Sequence, residues 1–309
     1  MEQKPNNQDK NKASVDLIRH SKATYATYDR ITMSDNPSQP FDHRDQIFPD
    51  LSPEGVELAK KSAKEFLKTL DPNKDELFFV SSNEVRALET AEIYHNEATM
   101  RRFIISKPEH SRSSISDKYL NGDIRMVNAL SINFKNSIAN NLLNPQSSRR
   151  QINFEALDPK EVETYKNLQE EIDKDNKGSF AANFLAYGDL VKKEIPEFET
   201  AEDLYNRNFK ELIRFFKFAE KKAESSTPER QLRILAFSHE NQLLVALNKY
   251  FDEHGINNCE ILHVESSDEG IKAKFRGKES IIEGNALQIN SVVMEKIKTE
   301  KQKVRFRKG

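Results

Sequence analysis

The sequence predicts an α/β protein with three layers (α/β/α), a mostly parallel central sheet and a helical insertion. The first observation is that short apolar runs rich in β-forming residues occur at 15–18, 77–80 and 232–237. The second is that each run ends in polar residues and is followed by helix-like sequence, a pattern that favours parallel pairing through right-handed crossovers. The third is length, because 309 residues with 36% hydrophobic content can bury the core of one large domain.

The domain is expected to span residues 13–309, because residues 1–12 (MEQKPNNQDKNK) are polar and typical of a disordered leader. The single cysteine, Cys259, excludes an intrachain disulfide and a cysteine-based metal cluster. No apolar stretch is long enough to span a bilayer, so we expect a cytoplasmic protein that does not act at a membrane.

Charge gives little guidance to partners, because the net charge is only −2. The segment 295–309 is the exception, with seven Lys or Arg residues and two Glu residues. Such a run is usually a solvated end of the chain, and binding to an anionic partner is the less frequent alternative. Nucleic acid is therefore not expected as a partner.

Two helices are expected to cover the sheet between the three strands. The first begins with Ser52 as N-cap and Pro53 at the first helical position, and Asp71 and Pro72 end it. The second runs from 200 to about 224 and leads into the third strand. Each has an apolar stripe with helical spacing, formed by Val56, Ala59, Ala63, Phe66, Leu67 and Leu70 in the first and by Leu204, Leu212, Ile213, Phe216 and Ala219 in the second.

The region 101–198 lacks the alternation of strands and helices and is expected to be an insertion over the functional site. Charged, helix-like stretches occur within it at 158–173 and 180–193. An ordinary helical subdomain is as consistent with this pattern as a substrate lid. Beyond Gly255, the edge of the sheet is expected to be completed by three short strands, at 260–264, 271–275 and 286–289.

Polar residues follow each of the three predicted strands. Arg19 and His20 follow the first, Arg86 lies shortly after the second, and Ser238 and His239 follow the third. Taken singly, each has an ordinary explanation: a hydrogen-bonded histidine at a strand end, an arginine on a helix surface, a neighbour of a helix N-cap. The carboxyl ends of parallel strands meet at one edge of a sheet, however, so together these residues predict one pocket.

Two arginines and two histidines around one point suit a phosphoryl group. Guanidinium forks bind phosphate oxygens bidentately and do not lose their charge. The same positive charges favour the neutral imidazole, which is its nucleophilic form, so His20 would attack phosphorus without needing a metal ion. We therefore expect covalent catalysis with electrostatic stabilisation of the transferred group.

Four motifs in order resemble those of the histidine phosphatase superfamily, which includes the phosphoglycerate mutases. They are LIRHSKA at 17–23, LSPEG at 51–55, SSNEVRALETA at 81–91 and AFSH at 236–239. The resemblance implies that His20 accepts the phosphoryl group. The residues that it implies bind this group are Arg19, Arg86 and His239. Family members usually have glycine at the position of Ser21, which we expect to be a substrate-binding position. The larger side chain either narrows the approach of the substrate or reflects local variation, and it removes no reactive group.

The general acid that protonates the leaving group has two candidates. In the mutase-like branch of the superfamily the acid lies beyond the second arginine and shortly before a glycine, and Asp117 in ISDKYLNG (115–122) is similarly placed. In the acid-phosphatase branch it follows the second histidine directly, as Glu240 does here. The sequence slightly favours Asp117, although either residue is also consistent with an ordinary solvated carboxylate.

Other functional motifs do not occur. The chain has no GxxxxGK[ST] loop, no HExxH motif and no glycine-rich dinucleotide fingerprint. The remaining histidines have no ligand-like spacing and are expected to be structural or exposed; they are His43, His95, His110, His254 and His263. No cofactor and no metal is therefore expected.

The sequence thus predicts a metal-independent phosphomonoester hydrolase that acts through a phosphohistidine on a small-molecule phosphate ester or another phosphorylated substrate. One alternative is a phosphoglycerate mutase-like phosphotransferase, in which Arg149 and Arg150 would bind an anion. Another is a phospho-ligand-binding module without turnover. The natural substrate and the oligomeric state are not indicated by any motif.

Overall fold

The computed structural model describes residues 14–24, 28–29, 34–35, 50–107, 120–131, 137–145, 157–225, 230–267 and 270–283. Three sequence expectations lie outside these residues: the disordered leader 1–12, the strand at 286–289 and the basic segment 295–309. None of the helices within the described ranges has the length and apolar character needed to cross a membrane.

The strands described in the chain form a nine-stranded sheet and a separate two-stranded one. The small sheet pairs β2 (Tyr28–Asp29) with β3 (Ser34–Asp35). The large sheet contains β1 (Ser14–Arg19), β4 (Asp75–Ser81), β5 (Ile104–Ile105), β6 (Leu120–Asn121), β7 (Ile124–Met126), β8 (Gln231–Ser238), β9 (Ile261–Ser267), β10 (Gly270–Phe275) and β11 (Lys278–Glu283). Its order is β11-β10-β9-β1-β8-β4-β7-β6, and β5 also pairs with β4.

The large sheet is mixed, so the prediction of a mostly parallel sheet was wrong. Strands β1, β8, β4, β5 and β7 pair in parallel, whereas β9, β10 and β11 form an antiparallel meander on β1, and β6 is antiparallel to β7. Antiparallel neighbours need only a tight turn between them. The turn between β10 and β11 has positive φ at both Arg276 (48°) and Gly277 (76°), which is the backbone of a two-residue hairpin.

Seven helices occur among the described residues. They are α1 (Pro53–Leu67), α2 (Val85–Met100), α3 (Ser137–Leu143), α4 (Pro159–Lys174), α5 (Phe180–Glu194), α6 (Ala201–Ser225) and α7 (Glu240–Phe251). Helix α1 begins as its sequence predicts, because the Ser52 side chain accepts a hydrogen bond from the Gly55 backbone N–H and Pro53 occupies the first helical position.

Helices cover both faces of the sheet. On one face α1 and α2 pack against a core that includes Ile18, Phe79 and Phe237. On the other, α6 and α7 pack against a core that includes Val15 and Ile234. Odd and even positions of each strand therefore supply opposite cores, as the two-residue period of a strand requires. The predicted three layers are present.

The range 101–198 differs from its expected lack of strands. Strands β5 and β7 pair with β4, and β6 pairs with β7, so part of the range belongs to the sheet. These strands have only two or three residues, too few to show a period of two in the sequence. Helices α3, α4 and α5 share a separate apolar core, which includes Leu142, Ile172 and Phe184.

Candidate active site

Three of the predicted site residues meet at the carboxyl ends of β1, β4 and β8. His20 follows β1, Arg86 lies in the first turn of α2, and His239 is the N-cap residue of α7. The Nε of Arg86 lies 3.3 Å from the Nε2 of His20, and its Nη2 lies 3.4 Å from the Nδ1 of His239. The two imidazole rings are 5.0 Å apart and all three side chains are buried.

The hydrogen bonds define the protonation of both imidazoles. A guanidinium only donates, so the Nε2 of His20 accepts from Arg86 and carries a lone pair. The Nδ1 of His20 donates to the Ser21 carbonyl oxygen at 2.6 Å. Similarly, the Nδ1 of His239 accepts from Arg86, and its Nε2 donates to the Ser82 hydroxyl at 2.8 Å. The ring nitrogen that accepts from Arg86 therefore carries a lone pair in each imidazole.

The loop after His20 is bonded to both helices of one face. The Ser21 backbone N–H donates to the Thr90 hydroxyl at 3.0 Å, and that hydroxyl donates to the Arg86 carbonyl at 2.7 Å. The Ser21 hydroxyl donates to the Gly55 carbonyl at 2.6 Å. Ser21, predicted to bind substrate, is fully buried, and its hydroxyl is bonded to the start of α1. The Ser21 side chain thus connects the loop after His20 to that helix.

Gly55 lets α1 pack directly against the loop after His20. A Cβ at this position would lie 2.1 Å from the Lys22 carbonyl oxygen, a distance that no side chain can occupy. The same carbonyl accepts a hydrogen bond from the Ser52 backbone N–H at 3.0 Å. The LSPEG motif therefore combines an N-cap, a helix start and a close backbone contact.

Two residues that position His20 were not singled out from the sequence. The side-chain amide of Asn258 donates to the His20 carbonyl at 2.8 Å, and the backbone N–H of Cys259 donates to the Arg19 carbonyl at 3.0 Å. Both residues lie in the turn before β9. A lone asparagine in a polar turn has no local signal of this role, so only the fold could reveal it.

Arg19 is adjacent to His20 in the chain, but its guanidinium is bonded to other residues. Its Nη2 lies 3.0 Å from the carboxylate of Glu240, and its Nη1 donates to the Ile256 carbonyl. Its Nε is buried and has no hydrogen-bond partner within the described part of the chain. Glu240, one of the two predicted acids, therefore joins the start of α7 to the end of β1.

Glu84 also contacts the site, although the sequence did not indicate it. Its carboxylate lies 3.0 Å from the Nη1 of Arg86, so each of the two site arginines is paired with a carboxylate. Asp117, the other predicted acid, and Arg149 and Arg150 lie outside the described residues. Within the described ranges, no group of three or more His, Cys, Asp or Glu side chains is arranged to hold a metal ion.

Another carboxyl group close to the site, that of Glu89, has a perturbed pKa. Burial raises the pKa of Glu89 from 4.5 to about 7, although hydrogen bonds from the Asp50 backbone N–H oppose this shift. Glu89 lies on α2, one turn beyond Arg86. The Asp50 backbone carbonyl in turn accepts a hydrogen bond from the Thr24 backbone N–H. The Glu89 carboxyl is therefore connected, through Asp50, to the far end of the loop after His20.

No protein-family model and no curated protein sequence matches the chain. Solved structures do match it. The structure is similar to a phosphoglycerate mutase from Bacillus anthracis (14% identity, TM-score 0.47), with 90% of this chain and 95% of that chain covered. It is also similar to a mycobacterial glucosyl-3-phosphoglycerate phosphatase (13% identity, TM-score 0.46, 87% and 100% covered) and to an α-ribazole phosphatase from Shigella flexneri (11% identity, TM-score 0.38, 87% and 98% covered).

Proposed function

We propose that the protein is a metal-independent phosphomonoester hydrolase that forms a phosphohistidine on His20. The observation that carries the proposal is the position of Arg86, which donates to ring nitrogens of both His20 and His239, with all three side chains buried. A buried cation that touches two neutral imidazoles is a preorganised place for an anion. The phosphoryl group of an ester supplies that anion.

In the first step, the Nε2 of His20 attacks phosphorus and the bond between phosphorus and the ester oxygen breaks. Arg86 would stabilise the charge on the phosphoryl oxygens. The buried Nε–H of Arg19, which has no partner among the described residues, would donate to the same group. The hydrogen bond from the His20 Nδ1 to the Ser21 carbonyl holds the ring in the nucleophilic tautomer and stabilises its positive charge as the bond forms.

The leaving alkoxide takes a proton from a carboxyl group, and in the second step water attacks the phosphohistidine and releases phosphate. Asp117 and Glu240 remain the proposed acids. Glu240 directly follows His239 and is paired with Arg19. To act as the acid it would have to exchange that pairing for the substrate, which binding of phosphate to Arg19 would promote.

The test is hydrolysis of 4-nitrophenyl phosphate by the wild-type protein and by His20→Ala, with vanadate as an inhibitor. We expect turnover without added metal, inhibition by vanadate and a loss of at least about a thousandfold in the variant. The matched control is His95→Gln, because His95 lies nine residues beyond Arg86 along α2. Full activity in His20→Ala would refute the nucleophile.

A second measurement separates the alternatives. Rapid quenching with labelled substrate should trap an acid-labile phosphoprotein in the wild-type protein only. Transfer of the label to water supports a hydrolase, whereas transfer to a second phosphorylatable substrate would indicate the phosphotransferase. A folded wild-type protein that binds vanadate without any turnover would indicate the binding module.

A further inference from the structure

A large cleft adjoins the proposed phosphoryl site and has no role in the chemistry described so far. It has a volume of about 1070 Å³ and lies between α6 and the segment that follows β7. Its lining includes Asn83, Glu84, Arg125, Asn128, Arg207 and Lys210. Ligand sites commonly measure about 300–1,000 Å³, so the cleft is large enough for a leaving group of considerable size.

The cations of the cleft fall into two kinds. Arg207 and Arg214 are structural, because Arg207 is paired with Glu199 and also donates to the Ala129 and Ser131 carbonyls, and Arg214 is paired with Glu211. The other carboxylates of the lining are paired as well, Asp203 with Lys192 and Glu84 with Arg86. Arg125 and Lys210, by contrast, have no ion-pair or hydrogen-bond partner among the described residues. Two cations that face one cleft without carboxylates of their own attract an anion.

The position of Arg125 follows from the register of the sheet. It lies opposite Val80 of β4, whose side chain packs in the core under α6. The Arg125 side chain therefore lies on the α6 face, where it is half-buried and lines the cleft. Lys210 lies on α6 across the cleft. The two cations thus belong to different layers of the fold and face the same space.

Glu84 connects the cleft to the phosphoryl site. Its carboxylate forms part of the cleft wall and lies 3.0 Å from Arg86, which in turn contacts His20. The Glu84 side chain therefore contacts both the cleft and the arginine of the site. A leaving group that extends past Glu84 enters the cleft, where the lining side chains are mainly charged or amide and few are apolar.

We propose that this cleft binds a second anionic group on the leaving group of the substrate, with Arg125 and Lys210 as its ligands. The inference rests on the proposed phosphatase function and narrows its substrate class to phosphomonoesters that carry another phosphate or carboxylate. The polar lining disfavours aryl and lipid leaving groups, which need apolar walls.

The experiment compares kcat/KM for a hexose bisphosphate with that for the matching hexose monophosphate. We expect the wild-type protein to prefer the bisphosphate, and the double variant Arg125→Gln/Lys210→Gln to lose this preference by about ten- to a hundredfold, as expected for charge-assisted hydrogen bonds. A parallel pair, phosphoglycerate and glycerol phosphate, tests whether a carboxylate serves as well as a phosphate. The matched control is Lys217→Gln, an exposed lysine two turns further along α6 that does not line the cleft.

The outcomes distinguish the two proposals. If neither 4-nitrophenyl phosphate nor either hexose phosphate is hydrolysed, the phosphatase function fails, and the cleft is then tested by calorimetric titration of the hexose bisphosphate into the wild-type protein and the double variant. Weaker binding by the folded variant supports the cleft. If the aryl phosphate is hydrolysed but the double variant keeps the wild-type preference, the cleft proposal is overturned while the phosphatase function stands.

Discussion

Two buried polar regions lie along β1, one at its middle and one just beyond its end. Each contains a histidine, and the two histidines have different partners. In the middle of the strand, Asp16 lies opposite His263 of β9, and their side chains are 2.7 Å apart. At the end of the strand, His20 lies against Arg86. One imidazole thus has a carboxylate partner and the other a guanidinium partner. The difference teaches that the charge of the partner, and not burial alone, decides whether the surroundings of a histidine favour its positively charged form.

At His263 the carboxylates dominate. Burial opposes the charged imidazole, but the hydrogen bonds and charges of Asp16 and Glu265 outweigh it and raise the pKa of His263. At His20 the only ring nitrogen that could accept a second proton faces a guanidinium. The middle of β1 is therefore suited to an ion pair that stabilises the fold, whereas the histidine at its end, the proposed nucleophile, lies beside a cation that disfavours its protonated form.

The largest effect is expected from Arg86→Lys, which tests the guanidinium side of this comparison. Lysine keeps the charge but has one nitrogen, which cannot contact both imidazoles and the Glu84 carboxylate. We expect kcat/KM for 4-nitrophenyl phosphate to fall about a hundred- to a thousandfold in a folded protein. Arg101→Lys is the control, because Arg101 is the C-cap residue of the same helix and pairs with Glu97. A decrease of less than threefold would contradict the bridging role of Arg86.

The next effect concerns the loop that follows β1, which is held in place by α1 as well as by neighbouring strands. Gly55→Ala would place a methyl group 2.1 Å from the Lys22 carbonyl. We expect a loss of about 2–4 kcal/mol in the free energy of unfolding, measured with urea, together with lower activity. The control is Gly188→Ala in α5, whose added Cβ would have its nearest neighbour at 3.9 Å. Equal stability of the two variants would show that α1 can shift without cost.

Glu89→Gln adds a third titrating group to the comparison. The pKa of Glu89 is about 7 in the folded protein and 4.5 is its ordinary value, so the folded state binds the extra proton. Wild-type stability should therefore decrease as the pH rises from about 4.5 to about 7. Glutamine keeps an acceptor for the Asp50 N–H without the charge, so the variant should gain about 1–3 kcal/mol relative to wild type between pH 5 and pH 8.

Urea unfolding at the two pH values measures this gain, with the exposed Glu65→Gln as the control. The same difference between wild type and Glu89→Gln at both pH values would show that Glu89 does not titrate in this range.

The smallest effect is expected from His263→Gln, which tests the carboxylate side. A raised folded pKa means that the stabilisation is complete below the unfolded pKa, about 6.5, and is lost as the pH rises through the folded value. The variant should therefore be less stable than wild type by about 1 kcal/mol at pH 6 and by less at pH 9. A loss that grows with pH in thermal unfolding would reverse the assigned sign.

Much of the fold could be predicted because its signals are local. The three central strands are mainly apolar runs, and α4 and α5 start and end within one residue of their expected ranges. The antiparallel strands β9 to β11 were only partly predicted, and β5 to β7 were missed. Two or three residues carry no periodic signal, and the direction in which a strand pairs depends on its connection and neighbours rather than on its own residues.

The candidate site divides in the same way. Sequence alone was sufficient to bring His20, Arg86 and His239 together, because each follows a strand whose end must lie at one edge of the sheet. It could not show that Arg19 pairs with Glu240, that Ser21 is bonded to α1, or that Glu84 lies beside Arg86. Those contacts depend on how helices from distant parts of the chain pack at that edge.

By itself, then, the sequence determined which residues end the central strands and so meet at one edge of the sheet, since strand and helix signals act over a few neighbouring residues. Only the tertiary structure decided which nitrogen of each imidazole faces Arg86 and which carboxylate holds each arginine. It also placed Arg125 and Lys210 across one cleft. The physical reason is that hydrogen bonds and ion pairs act over a few ångströms, and the residues that come this close are chosen by packing.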